Sequence, residues 1–322
     1  MAIPVLGFPV QIARIAHCSR DLRRLPRGCP SAPAAGIREL TSCGSPALQQ
    51  SAVPQQSAVQ DVAGRLVFMA RVFISGSSTG LGLLAGRWLA TRGHGVTLHA
   101  RNEQRTDELR AALPQAAIVV GDLSRIAAAR SVAEQVNALG RQDAVIHNAA
   151  VYRQPDRIET DDGLSLTFPV NVLAPYLLTA LIERPDRLVY MTSGLQNGAA
   201  PDLGDAQWTR RRWNWLQAYS DSKLFDTMLA FGVARRWPDV RSNAVSPGWV
   251  ATRMGGAGAP DDLDLGTETQ AWLAAGDDPA AEMTGQYLFH RQRYDVPASV
   301  RDTRAQEALF TYCAELTGQR LR

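Results

Sequence analysis

Of the 34 lysine and arginine residues in this 322-residue sequence, one is a lysine. That residue, Lys223, stands four positions after Tyr219. The two cations are not equivalent: arginine is a planar fork fixed in its charged state, and lysine is a compact point charge on a flexible stem. Four residues apart on a helix, the two side chains share a face one turn apart, so the ammonium can approach the phenol. A cation there favours phenolate and draws the tyrosine pKa down from about 10. Tyr219 is thereby a candidate general acid/base with Lys223 as its electrostatic partner. The plainer reading is a surface lysine that happens to follow a tyrosine, but with seven tyrosines and a single lysine that spacing is an improbable coincidence.

A second chemical signal lies upstream, in Gly76-Ser77-Ser78-Thr79-Gly80-Leu81-Gly82. Glycines at this spacing let the backbone turn tightly and approach a pyrophosphate at a helix N-terminus. The hydroxyls of Ser77, Ser78 and Thr79 are further candidate phosphate donors. A glycine-rich loop alone is a weak signal, and its setting between a strand and a helix strengthens it. That setting is present. From Met69 onward, expected strands at 71–75, 96–99, 117–120, 144–147, 188–191 and 240–245 alternate with expected helices at 81–91, 103–113, 125–139, 163–182 and 218–236. Pro238 closes the last of these helices, because proline cannot continue one. Such alternation predicts an α/β fold, a doubly wound parallel sheet of the Rossmann type covered by helices on both faces.

The end of the second strand should meet the adenosine ribose. An NAD site places an acid there for the 2′-hydroxyl. This sequence reads His99-Ala100-Arg101-Asn102, with no carboxylate before Glu103. Arg101 offers a charged fork to a 2′-phosphate, which points to NADP(H) over NAD(H). A solvated strand-end arginine is the alternative in so arginine-rich a chain.

Residues 1–68 read differently from the rest. Prolines 26, 30, 33, 46 and 54 punctuate them, and neither helical nor strand periodicity is sustained. They are expected to form a disordered extension, followed by one Rossmann-type domain at 69–322. Met69 stands two residues before the first strand, where such a protein would naturally start. A native disordered tail and an arginine-rich organelle leader are the other readings. The net charge of +3 argues against nucleic acid as a partner, and no apolar run is long enough to span a membrane. Cys18, Cys29, Cys43 and Cys313 show no framework spacing, which fits a reduced, cytoplasmic setting. The five histidines lack ligand spacing, so no metal is expected.

Taken together, residues 69–322 resemble the short-chain dehydrogenase/reductase family. The glycine loop and the Tyr-x-x-x-Lys of Tyr219 and Lys223 match its motifs. Asp122-Leu123 matches the strand-end pair that contacts adenine. His147-Asn148-Ala149-Ala150 corresponds to the family's Asn-Asn-Ala-Gly with both ends changed, while Asn148 and Ala149 remain, with Ala150 in the last place. Asn171 matches the helix asparagine, Ser193 the catalytic serine, and Pro247-Gly248 the segment beside the nicotinamide, with Val250 and Thr252 following. The stretch before Asn171, the long segment between Ser193 and Tyr219, and residues 243–256 are most similar to the retinol-dehydrogenase-like branch and to bacterial daunorubicin carbon-13 ketoreductase-like proteins.

The resemblance implies a Ser193/Tyr219/Lys223/Asn171 tetrad reducing a ketone or aldehyde of a fairly bulky apolar small molecule. It assigns Ser193 to the carbonyl oxygen, Lys223 to the ribose hydroxyls and Asn171 to a water. It also implies a homodimer or homotetramer paired through the helices bearing Asn171 and Tyr219. A non-catalytic NADP-binding redox sensor is the alternative, and such a protein has no need of all four residues. Trp208, Trp213 and Trp215 around Arg210-Arg211-Arg212 suggest a flap beside the site rather than a surface for single-stranded nucleic acid. His147 is expected to be a satisfied core residue, and Trp249 is a candidate substrate-pocket wall.

Overall fold

The computed structural model describes Ala58–Gln60, Leu66–Phe68 and residues 69–321. An antiparallel ribbon comes first, β1 (Ala58–Gln60) paired with β2 (Leu66–Phe68). It lies inside the stretch expected to be disordered. The rest of that stretch, with Cys18, Cys29 and Cys43, falls outside the described residues.

The eight-stranded sheet begins with β3 (Arg71–Ile74), β4 (Gly95–Ala100), β5 (Ala117–Val120) and β6 (Ala144–His147). It continues with β7 (Arg187–Met191), β8 (Arg241–Ser246), β9 (Tyr287–Phe289) and β10 (Gln292–Tyr294). Across the sheet the order is β10-β9-β8-β7-β6-β3-β4-β5, parallel throughout except for the β9–β10 pair. Chain order reverses between β3 and β6. Open parallel sheets bind ligands at such a switch point, beyond the carboxyl ends of the strands.

The central strands are apolar on both faces because helices cover both. Side chains alternate with a period of two. Val72, Ile74, Ile146, Val189 and Val245 pack with α1 (Gly80–Ala90), α2 (Glu103–Ala112) and α6 (Leu263–Ala275). Phe73, Val145, Leu188 and Tyr190 face α3 (Ile126–Ala138), α4 (Ala174–Leu181), α5 (Trp215–Arg236) and α8 (Thr303–Thr317). A short α7 (Ala298–Arg301) precedes α8. Asn102, Asn214 and Asp262 cap α2, α5 and α6 by accepting hydrogen bonds from first-turn amides.

The helix expected from Gly163 starts later. Glu159 bridges Ser165, and Gly163 turns the chain at a φ of 74°. The stretch Pro169–Leu173 is a π-helical turn leading into α4. Pro175 has no N–H to offer the carbonyl four residues back, that of Asn171, so the ladder shifts register there. α8 lies against α5. A Cβ on Gly232 would stand 2.5 Å from the Phe310 ring, and Arg235 donates to Gln306 at 3.1 Å. Subunit pairing through α5, which the family resemblance implies, would use a helix that this chain's own α8 already packs against. Among the described residues no helix is long and apolar enough to cross a membrane.

Candidate active site

The glycine loop leaves β3 at the switch point and enters α1. Gly76 and Gly80 take φ values of 61° and 59°, where a side chain would be strained. A Cβ on Gly82 would meet Asn148 Nδ2 at 2.5 Å and Gly76 O at 2.9 Å, so glycine there permits close packing beneath the loop. Asn148, beyond β6, holds the loop from below. Its Nδ2 donates to Ser75 O at 3.1 Å and to Gly76 O at 2.8 Å. Ser75 Oγ in turn accepts from the amides of Asn148 and Ala149.

His99, at the end of β4, is a second pin that the sequence pattern did not single out. Its Nδ1 accepts from the Gly76 amide at 2.9 Å and its Nε2 donates to Gly121 O at 2.8 Å. Burial lowers its pKa, which keeps the imidazole neutral and able to accept at Nδ1. Ser77 departs from expectation. Its hydroxyl donates to Ile74 O at 2.9 Å and accepts from the His99 amide at 2.8 Å, so it braces the loop from inside instead of facing a phosphate.

A cavity of about 570 Å³ runs over this loop. Of the residues expected at a cofactor, Gly76, Thr79, Gly80, Leu81, Arg101, Asp122, Leu123, Asn148, Ala149, Ala150, Tyr219, Lys223, Pro247 and Thr252 line it. Arg101 is exposed at the end of β4, with no carboxylate beside it on that strand. Ser78 and Gly82 do not line it, and Gly248 and Val250 line a second cavity of about 670 Å³. The donor set suits a dinucleotide, with loop amides for a pyrophosphate, Asp122-Leu123 for an adenine and a guanidinium for a ribose phosphate.

The second cavity meets the first at Tyr219. Ser193, Leu195, Trp249, Met254, Phe289 and Tyr294 are among its walls. Trp249 is 57% exposed at its rim, as the sequence suggested for a pocket wall. The Trp249 indole is tied to Gly255 O at 2.8 Å, and its amide to Asp261 Oδ2 at 2.6 Å.

Tyr219 and Lys223 lie on α5, with the ammonium 5.8 Å from the phenol ring centroid. Ser193, which follows β7, shares a cavity wall with Tyr219 and draws the phenol's pKa slightly down. The expected downward shift of the tyrosine pKa is not the net result. Burial outweighs the pull of Lys223 and raises it, and Tyr152 and Asp226 push the same way. Tyr152 packs edge-on against Tyr219 at 4.6 Å. Lys223 is 2% exposed and donates to Met191 O and to Asp226 Oδ2, both at 2.8 Å. Asp226 is a buried partner that the motifs did not indicate.

Asn171 sits in the π-helical turn, fully buried. Its Oδ1 accepts from the Val151 amide at 2.8 Å, and its Nδ2 donates to Ser222 Oγ at 2.9 Å. It lines neither cavity and instead ties the chain after β6 to α5. Thr252 Oγ1 accepts from the Gly255 amide at 3.2 Å.

His147 is buried but only half satisfied. Its Nε2 pairs with Thr179 Oγ1 at 2.9 Å, while its Nδ1 has no partner. Burial pushes its pKa down to about 3. The tryptophan segment packs beside the site as a braced flap. Asp205 accepts from the amides of Thr209, Arg210 and Arg211, Trp213 donates to Gln154 O at 2.9 Å, and Trp215 lies edge-on to Tyr152 at 5.3 Å. None of the three tryptophans lines either cavity. Arg211 pairs with Asp205 and Asp221. Among the described residues no group of histidine, cysteine and acidic side chains could hold a metal.

Comparison with known proteins agrees with this architecture. A family model described as "Enoyl-(Acyl carrier protein) reductase" matches residues 76–288. The chain is 40% identical over 258 residues to "Short-chain dehydrogenase chyC" of Penicillium rubens, covering 79% of this chain and 99% of that one. A Streptomyces sp. (strain C5) protein named for daunorubicin C-13 ketoreduction is 30% identical, covering 78% and 93%. Human "Retinol dehydrogenase 13" is 29% identical, covering 57% and 60%. Among solved structures, an uncharacterized protein from Mycobacterium Paratuberculosis superposes with a TM-score of 0.68 at 24% identity, over 79% of this chain and 95% of that one. A family match of that length, and an identity of that order sustained across nearly a whole relative, place the chain in the short-chain dehydrogenase/reductase family of oxidoreductases.

Proposed function

We propose that the protein is an NADPH-dependent reductase that converts a ketone or aldehyde on a fairly bulky, largely apolar small molecule to the alcohol. The observation that carries this reading is the meeting of the two cavities at Tyr219, with Ser193 on the wall of the second beside it. One cavity has the donors for a dinucleotide. The other is rimmed by Leu195, Trp249, Met254 and Tyr294, four large side chains left exposed at its mouth. Exposed apolar groups clustered at one opening mark a site for an apolar ligand. The Streptomyces relative, named for the C-13 ketoreduction of daunorubicin, supports a carbonyl substrate.

When bound, the nicotinamide would supply the hydride. The chain's own residues handle the oxygen. Ser193 donates a hydrogen bond to the substrate carbonyl, a preorganised donor for the charge that develops there. Tyr219 gives that oxygen its proton. Burial holds the phenol protonated at neutral pH, the state required of an acid. Lys223 opposes burial and brings the phenol closer to a usable acidity. Arg101 would hold the 2′-phosphate, which would set the preference for NADPH. Asn171 keeps the start of α5 in register with the chain after β6, so that Tyr219 faces the meeting point.

The test is NADPH oxidation, followed by absorbance, with a panel of aromatic ketones, quinones and aldehydes. Turnover is expected for bulky carbonyls, with a loss of about 10²–10⁴ in Tyr219→Phe. Undiminished turnover in that variant would overturn the mechanism.

A further inference from the structure

Lys223 and Asp226 form an ion pair inside the protein. They sit three residues apart on α5, at 2.8 Å, with side chains 2% and 3% exposed. Pairs at this helical spacing ordinarily lie on a solvated face. Here both ions have lost their hydration, and such a pair is a poor device for stability alone. A lysine buried without a partner gives up its proton. The Asp226 carboxylate prevents that, and it holds Lys223 with its charge intact.

The ammonium has three donors. Met191 O and Asp226 Oδ2 take two, which leaves a third, and Lys223 is among the residues that line the cofactor cavity. The other carboxylate oxygen, Oδ1, is buried with no partner, so the aspartate has no visible role other than toward Lys223.

We propose that Asp226 is a positioning residue for the reaction: its carboxylate anchors the Lys223 ammonium against the end of β7 and leaves one N–H for the cofactor. The same anion restrains Lys223 electrostatically, because Asp226 opposes the pull of Lys223 on the Tyr219 phenol. The phenol's proton affinity is therefore raised by burial, by Tyr152 and by Asp226, and lowered by Lys223. On α5 the carboxylate faces Lys223 and, through it, Tyr219. From β7 it faces the Tyr190 phenol, which feels its charge, with His147 of β6 tilted against that ring at a centroid distance of 4.6 Å. This inference rests on the reading of Tyr219 and Lys223 as the proton-transfer pair.

The test uses Asp226→Asn, Asp226→Glu and the unmodified protein. Removing the negative charge lowers the proton affinity of both Lys223 and Tyr219. The alkaline limb of the reductive kcat profile should then move to lower pH by about one unit or more in Asp226→Asn. Loss of the oriented donor should raise the NADPH Kd by about tenfold. Asp226→Glu should restore the limb to within about half a unit, a rescue that a merely structural role would not require. A folded Asp226→Asn with the original limb and Kd overturns the proposal.

If Asp226→Asn does not fold, the unmodified protein decides. Its single lysine makes nitrogen-15 lysine labelling report one ammonium. A signal that stays charged and protected well above neutral pH supports the anchor. A lysine that titrates near neutrality, or that behaves as a solvated side chain, overturns it. Tyr219→Phe separates the two levels of the argument. An active Tyr219→Phe refutes the proton-transfer reading, whereas an inactive one beside an unshifted Asp226→Asn refutes the anchor alone.

Discussion

Gly82 and Asn148 offer a quantitative test of how the loop over α1 is held. The Asn148 side chain donates to Ser75 O and Gly76 O at 3.1 and 2.8 Å, and Asn148→Ala deletes both bonds. At about 0.5–1.5 kcal/mol each, the loss is about 1–3 kcal/mol. Because a cofactor would then have to order the loop itself, its Kd should rise by about 5–150-fold. Gly82→Ala places a methyl 2.5 Å from Asn148 Nδ2 and 2.9 Å from both Gly76 O and Ser77 Cα. The amide can yield but the backbone cannot easily do so, and overpacking of this kind costs about 1–3 kcal/mol.

In the double variant the nearest obstacle is gone while the two backbone contacts remain. The two effects should therefore fall short of adding, by about 0.5–1.5 kcal/mol. Urea unfolding followed by tryptophan fluorescence gives the stability cycle, and an NADPH titration gives the binding cycle. Additivity within about 0.3 kcal/mol in both would refute the contact and the account of why glycine stands at position 82.

Arg101→Ala should weaken NADPH binding far more than NADH binding, reducing the preference by roughly one to two orders of magnitude, since a hydrogen bond to a charged group contributes about 1.5–3 kcal/mol; equal losses in paired titrations would show that the guanidinium does not read the phosphate. His147 has a folded pKa of about 3 against an unfolded value of 6.5, so as pH falls below 6.5 the unfolded chain takes up a proton that the folded one refuses. About 2 kcal/mol of stability should vanish between pH 7 and pH 5, and His147→Asn should remove that slope in urea melts while leaving the neutral-pH stability less affected. A chain beginning at Met69 keeps every residue lining both cavities; it should match the full chain in NADPH affinity, and a loss of binding would show that the preceding residues support the site.

The central sheet was legible because parallel strands covered on both faces read as unbroken apolar runs. β5 and β6 fall where those runs predict, and β3 and β7 differ by a residue at one end. The elements after β8 were not legible. β9 and β10 have three residues each, too few to display a period. The helical start expected at Gly163 failed because the apolar run Leu164-Ser165-Leu166 serves a turn and a bridge, a choice made by Glu159 and not by local propensity.

At the site, residue type and spacing brought out the glycine loop, Arg101, Tyr219 and Lys223, and the family resemblance added Ser193. Three features could not be read from the pattern, because each depends on which way a side chain turns. Ser77 points into the loop, His99 reaches sideways to the Gly76 amide, and Asp226 faces inward from a helix that carries its other acid, Asp221, toward Arg211.

The second cavity draws all its walls except Leu81, Tyr152 and Arg153 from residues after Met191. The part of the first cavity proposed above for the adenosine is built before residue 125, by the glycine loop, Arg101, Asp122 and Leu123. Along the gene, the cofactor's address and the substrate's address are therefore written in separate paragraphs. Drift confined to walls that line the second cavity and not the first, such as Leu195, Trp249 and Tyr294, can change what is reduced without disturbing what reduces it. A crossover with a relative near the end of β7 would exchange specificities in one event, because the Tyr219–Lys223 pair travels with the segment that selects the molecule it acts on.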